Sequence, residues 1–178
     1  VKKEFCIKYG VTSIRIYNGL DCKKYVQDIR EEKEEQYGFL VVGATISEEK
    51  GQLDVIKAVN ALDKKGLDQI RVYIVGNYSF RFKWCLNRYM EMHGLSNEIY
   101  LCPFKKDLSS LHRKCEYAIV PSKFEALGRV TVEAMLAGNI VIGANTGGTL
   151  EIIGKNQERG YTYIEGYSES LAEVMLKV

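Results

Sequence analysis

The feature that most constrains this chain is an alternation. Short, uninterrupted apolar runs take turns with stretches of helical periodicity from residue 39 onward. Runs at 39–43, 72–76, 99–102, 117–120 and 140–143 read as strands, and 161–163 reads as a sixth. Between them, residues 52–62 place Leu53, Ile56, Ala58, Val59 and Leu62 near helical spacing. Residues 82–93 and 129–137 read as helices closed by Gly94 and Gly138. A short helix is expected over 108–115, a helical turn over 150–153 and a last helix over 169–177. Trp84 is expected in a helix that faces the core. Pro103 and Pro121 each follow an apolar run. Continuously apolar strands are buried on both faces. Strands alternating with helices build a parallel sheet with helices on both sides. The expected class is therefore α/β, a Rossmann-like parallel sheet of about six strands. Ligands of such sheets bind beyond the carboxyl ends of the strands, where strand order reverses. The loops after Val42, Val75, Cys102, Val120 and Ile142 are the ones to inspect.

The first 37 residues have a different texture. Residues 13–17 are strand-like, Asn18-Gly19 is a turn, and 28–36 is a charge run that reads as a solvated helix or linker. Residues 1–37 are expected to be an interdomain connection and the end of a preceding domain, and 38–178 the main domain. The chain starts without an initiator Met and stops abruptly, as a fragment of a longer protein would.

Composition narrows the function classes. With 25 basic and 23 acidic side chains the net charge is +2, too small to argue for a nucleic-acid partner. The five cysteines are odd in number and dispersed, so neither a disulfide framework nor a zinc site is suggested. Free thiols fit a reducing compartment. No apolar run approaches the roughly 20 residues that span a bilayer, and the chain opens on no signal peptide. A cytoplasmic protein is expected. His93 and His112 lack metal-ligand partners at useful spacing and read as structural. No Asp-x-Asp pair signals a metal-held diphosphate, and both the Walker and the G-x-G-x-x-G spacings are missing.

The chemistry concentrates in residues 124–138. Glu125 lies in the loop after the fourth strand, and Glu133 lies a little over one turn inside the next helix, beside the packing stripe of Val130, Ala134 and Ala137. Helical side chains lean toward the N-terminus, so both carboxylates can reach one crevice. The N–H groups of Ala126, Leu127 and Gly128 are read as the free donors that open this helix, a ready phosphate site. Carboxylates accept from sugar hydroxyls, so the segment suits a ligand carrying both phosphate and sugar. Taken alone, Glu125 reads more readily as a helix N-terminal charge and Glu133 as a surface residue. Lys50, in the loop 43–51, is within reach of a diphosphate, although a lysine beside a helix start is more often simply solvated. Thr146 and Gly147, in the segment 145–149, offer further N–H donors or a plain capped turn.

Together these pieces resemble the C-terminal, nucleotide-sugar-binding domain of the retaining group 1 (family 4) glycosyltransferases of the GT-B fold. Tyr17-Asn18-Gly19-Leu20-Asp21 is similar to the family's element at the domain junction. Gly43 through Lys50-Gly51 is similar to its glycine-to-lysine loop, and Val75-Gly76 to its second strand end. Glu125-x7-Glu133 with Ala134-Met135 matches its paired glutamates, and 145–151 its glycine-rich segment. The resemblance implies that Lys50 neutralises the donor diphosphate and Glu125 binds hydroxyls of the donor sugar. It implies that Ala126, Leu127 and Gly128 hold phosphate and sugar, that Glu133 binds the ribose, and that the base lies near Phe104 and Lys105. Transfer in this family retains the anomeric configuration and uses neither metal nor cofactor. One departure stands out. Ala44-Thr45 occupies the region where the family often has an arginine, and Arg129 is a candidate substitute. The acceptor would be held by a missing N-terminal domain, which would also make any peripheral membrane contact at the inner face. The expected setting is bacterial cell-surface polysaccharide synthesis, with the fragment alone inactive. A sugar-nucleotide epimerase of the same architecture and a non-catalytic nucleotide-sugar-binding module are the alternatives.

Overall fold

The computed structural model describes residues 7–10, 12, 14, 16, 17, 19–25, 35–63 and 70–178. Its strands are β1 (Glu35–Ile46), β2 (Arg71–Tyr78), β3 (Ile99–Pro103), β4 (Cys115–Val120), β5 (Ile140–Ala144) and β6 (Tyr161–Tyr163). Its helices are α1 (Gln52–Asp63), α2 (Phe80–His93), α3 (Ser109–Lys114), α4 (Arg129–Leu136), α5 (Gly147–Ile153) and α6 (Ser168–Met175). The strands form one parallel sheet in the order β3-β2-β1-β4-β5-β6. This is the doubly wound arrangement: the chain moves outward from β1 to β3, then returns to β1's other side for β4. The reversal point lies between β1 and β4.

Alternate residues of each strand face opposite helix layers. Phe39 and Val41, Val72 and Ile74, Tyr117 and Ile119, and Ile142 pack against Val55, Ile56, Val59, Leu86 and Leu171. That layer is made by α1, α2 and α6. On the other face Leu40, Tyr73 and Val75 meet Leu111 of α3, and Ala118, Val120 and Val141 meet Ala134 of α4 and Ile153 of α5. On that face the Lys114 ammonium lies over the ring of Tyr73 at 4.9 Å, and Tyr73 stacks on Tyr100 at 5.0 Å.

The elements depart from expectation in ways that have local causes. β1 is longer than 39–43 at both ends. Glu35 and Gln36, assigned above to a solvated charge run, start the strand, and Glu35 pairs with Cys115. At the other end a shift of register between Val42 and Thr45 lets the strand continue to Ile46, through residues whose sequence reads as loop. The turn expected over 150–153 is the end of a helix that starts at Gly147. Helix α2 starts at Phe80 because the Ser79 hydroxyl accepts from the Phe82 N–H at 3.2 Å, and Gly94 ends it. Trp84 points to solvent with 59% of its surface exposed, because Leu86 and Met90 already fill the buried stripe. Ile14, Ile16 and Tyr17 are described and belong to no strand, while Ser13, Arg15, Asn18 and residues 28–34 lie outside the described residues. Among the described residues, no helix is long and apolar enough to cross a membrane.

Candidate functional site

Two loops meet at the point where strand order reverses. The short 3-10 turn Glu48–Lys50 follows β1, and residues 121–128 follow β4. They are pinned together through backbone: the Lys123 N–H donates to the Glu49 carbonyl at 3.2 Å. A Cβ on Gly51 would lie 2.1 Å from the Pro121 carbonyl oxygen, so only glycine allows this approach. The result brings the Lys50 ammonium within 4.0 Å of the Glu125 carboxylate. Both side chains keep access to water, so this pair adds little to stability and both charges stay available to a ligand.

The loop from Glu125 to Gly128 has its own support. Gly147 and Gly148 lie directly against it. The Gly148 N–H donates to the Glu125 carbonyl at 2.7 Å, and a Cβ on Gly147 would lie 2.1 Å from that same oxygen. Thr131 and Thr149, both buried, bring their hydroxyls to 3.3 Å and tie α4 to α5. The glycine-rich segment thus shapes the Glu125 loop from behind. Gly148 spends its N–H there.

The start of α4 differs from the expectation. Gly128, with φ 70°, is the residue before the helix, and the helix proper begins at Arg129. The Gly128 N–H is engaged by Glu125 Oε1 at 3.3 Å. Ala126 and Leu127 lie in the loop, so the first helical N–H groups belong to Arg129, Val130 and Thr131.

One face of α4 lines a cavity of about 700 Å³. That volume suits a nucleotide-sized ligand. Its walls come from the ends of β1 and β2 (Val42, Gly43, Ala44, Val75), from Phe104 to Ser109, and from Arg129, Val130 and Glu133 of α4. Three expected site residues, Phe104, Lys105 and Glu133, therefore share one cavity. Lys50, Glu125, Ala126, Leu127, Gly128, Thr146 and Gly147 do not line it; they belong to the neighbouring switch-point cluster, which α4 joins to the cavity.

Within the cavity Glu133 is held on one oxygen. Its Oε1 accepts from the Tyr25 hydroxyl at 3.1 Å and from the Arg129 guanidinium at 3.3 Å. Burial, then the Glu133 charge, pushes the Tyr25 phenol above its ordinary value, so it remains a protonated donor. Asp107 turns its carboxylate to the first turn of α3. It accepts from the Ser109 N–H at 2.9 Å and from the Ser109 hydroxyl at 2.6 Å, which holds its pKa below the usual range. At the back, His112 is buried beside Asn139. The Asn139 amide donates to the carbonyls of His112 at 3.0 Å and Cys115 at 2.7 Å, which leaves its oxygen for His112 Nδ1. That orientation puts the proton on Nδ1. The structural role expected for His112 is present, and the residue also forms part of the cavity wall.

The sequence reading did not find Tyr25, or His112 as a cavity residue. Tyr25 lies 108 positions from Glu133, and no spacing rule connects them. Arg129 is singled out there as a candidate substitute for the family's arginine. In the structure it pairs with Glu133, four residues along the same helix, which the i to i+4 spacing of opposite charges does signal.

Comparison with known proteins gives a consistent result. A family model described as "Glycosyl transferases group 1" matches residues 25–178. An uncharacterized glycosyltransferase of Methanocaldococcus jannaschii is 30% identical over 164 residues, which cover 90% of this chain and 39% of that protein. The crystal structure of HepE from Anabaena in complex with UDP is 25% identical, with a TM-score of 0.78, over 91% of this chain and 46% of that one. The C-terminal domain of LpcC, a group 1 family protein from Francisella tularensis, shares the fold at 24% identity. Its TM-score is 0.75, over 87% of this chain and 85% of that domain. This chain thus spans less than half the length of the curated relative and of HepE.

Proposed function

This chain belongs to the group 1 glycosyl transferases, and from that premise we propose that it is the donor-binding half of a two-domain GT-B enzyme. The whole enzyme would transfer a sugar from a nucleoside-diphosphate sugar to an acceptor, with retention of anomeric configuration. The observation that carries this reading is the pairing of two sites that α4 and the loop leading into it link. One is the switch-point cluster of Lys50 and Glu125; the other is the cavity that holds Glu133, Phe104 and Lys105. A nucleotide sugar needs both, because its sugar and phosphates differ chemically from its ribose and base. That HepE was crystallised with UDP and with UDP-glucose supports a donor of this class.

In this reading the base and ribose fill the cavity, with Phe104 and Lys105 beside the base and Glu133 accepting from ribose hydroxyls. The diphosphate lies over the start of α4, where Lys50 and the peptide N–H groups of the first turn meet its charge. Ala126, Leu127 and Gly128 shape the loop that approaches phosphate and sugar, while Thr146 and Gly147 support it from behind. Glu125 accepts from hydroxyls of the donor sugar. As the glycosidic bond breaks, negative charge grows on the leaving diphosphate, and Lys50 with the helix dipole stabilises it without reorganising. This supply of positive charge calls for no metal or cofactor.

The residues before β1 lead in from the acceptor-binding domain, which also makes any contact with the inner face of the membrane; the boundary expected at 37 moves to the start of β1 at Glu35. The setting is the cytoplasm of a bacterium, and the pathway is cell-surface polysaccharide synthesis. Product analysis on the two-domain enzyme tests the reading. Sugar transfer with retention, lost in Lys50→Ala and Glu125→Ala, supports it. Release of a free epimer, or binding without turnover, contradicts it. The 178-residue chain by itself should transfer little or no sugar, and measurable transfer by it would refute the division of labour.

A further inference from the structure

Tyr25 comes from the segment that precedes the sheet, yet its side chain forms part of the cavity wall and its hydroxyl donates to Glu133 Oε1. Arg129 meets the same oxygen from the helix side. Oε2 of Glu133 has no partner among the described residues. The carboxylate is therefore gripped on one oxygen by two donors from different parts of the chain and offers the other to the cavity. A glutamate has three side-chain torsions, and the pair of donors removes most of that freedom. An acceptor fixed before the ligand arrives binds hydroxyls with less ordering cost than a mobile one.

We propose that Tyr25 is a positioning residue for nucleotide recognition: it holds Glu133 so that Oε2 meets the ribose hydroxyls of the donor. This inference rests on the donor-binding reading above. It adds that ribose recognition depends on a residue that precedes the strand-and-helix unit, which begins with β1 at Glu35. Arg129 meets the carboxylate from its own helix, and Tyr25 provides direction.

The test is calorimetric titration with UDP, GDP and ADP, and with the 2′,3′-dideoxy form of whichever binds, on the wild-type chain and on Tyr25→Phe. Phenylalanine keeps the ring and removes only the donor. The loss of one hydrogen bond to a charged acceptor should weaken ribonucleotide binding by about tenfold. Affinity for the dideoxy nucleotide should change by less than twofold, because Glu133 has nothing to accept from it. Equal weakening of both ligands would reduce Tyr25 to a structural part of the wall and overturn the proposal. Tighter binding by Tyr25→Phe would also overturn it, by showing that the hydroxyl competes with the ligand for Glu133. Failure of the wild-type chain to bind any of the three diphosphates counts against the donor-binding reading and against this inference with it. Binding by the wild type with no difference between the variants sinks the role of Tyr25 alone.

Discussion

Replacing Gly147 with alanine should damage the site from behind without touching any group that meets a ligand. Two costs add. Gly147 has φ 50°, a conformation that disfavours a Cβ by about 1 kcal/mol. The new Cβ would also lie 2.1 Å from the Glu125 carbonyl oxygen, while real Cβ contacts essentially never fall under 3.0 Å. Relieving an overlap of that size in packed backbone costs a further 1–3 kcal/mol or so. The expected loss is about 3 kcal/mol, or a fall in Tm of about 6–12 °C for a domain of this length. Gly94→Ala is the matched control. It has φ 73° and nothing within 4 Å of its Cβ, so it carries only the conformational cost of about 1 kcal/mol. Urea unfolding of both variants separates the two contributions. Nucleotide titration should find Gly94→Ala unchanged and Gly147→Ala weakened, since the Glu125 loop must move away from Gly147. A stability loss for Gly147→Ala no larger than that of Gly94→Ala would refute the close-approach argument.

Asn139→Ala should cost about 3 kcal/mol in urea unfolding, because two buried carbonyls and the His112 ring lose their partner together; a loss under 1 kcal/mol would contradict that network. Cysteine alkylation should follow burial. Burial raises the Cys102 thiol above its ordinary value, partly offset by Lys105 and Lys114, so less of it is thiolate at a given pH. Mass spectrometry at pH 8 should find the exposed Cys22 and Cys85 modified well before Cys102. Equal rates at the three sites would contradict the burial argument.

Much of the fold was legible because burial on both faces leaves a plain mark. Leu40-Val41-Val42, Val72 to Val75 and Tyr117 to Val120 are apolar at every position, and each is a strand of the central sheet. Gly94 marked a helix end for a local reason, its left-handed conformation. The errors share a cause: tertiary context overrode local pattern. Glu35 and Gln36 look like linker, and they extend β1 alongside Cys115 of β4. Trp84 looks like core, and it faces water because α2 had apolar residues enough to fill its inner stripe. At the site, Glu133 was readable from its place beside the Val130 and Ala134 stripe, and the structure puts it in the cavity wall. The spent N–H groups of Gly128 and Gly148 were not readable, since both depend on how the Glu125 loop folds back on itself and on α5. Tyr25 was out of reach of any local rule, because only the packing of the leading segment on α4 brings it to Glu133.

The central claim is that the switch-point cluster and the cavity together bind a nucleoside diphosphate, through Lys50 of the first and Glu133 of the second. Calorimetric titration of this chain with UDP, GDP and ADP, repeated on Lys50→Ala and Glu133→Ala, tests it most directly. The account predicts selective binding of one nucleotide, weakened by about tenfold or more in each variant, as expected when a charged hydrogen-bonding partner is removed. Wild-type affinity retained in both variants would contradict it.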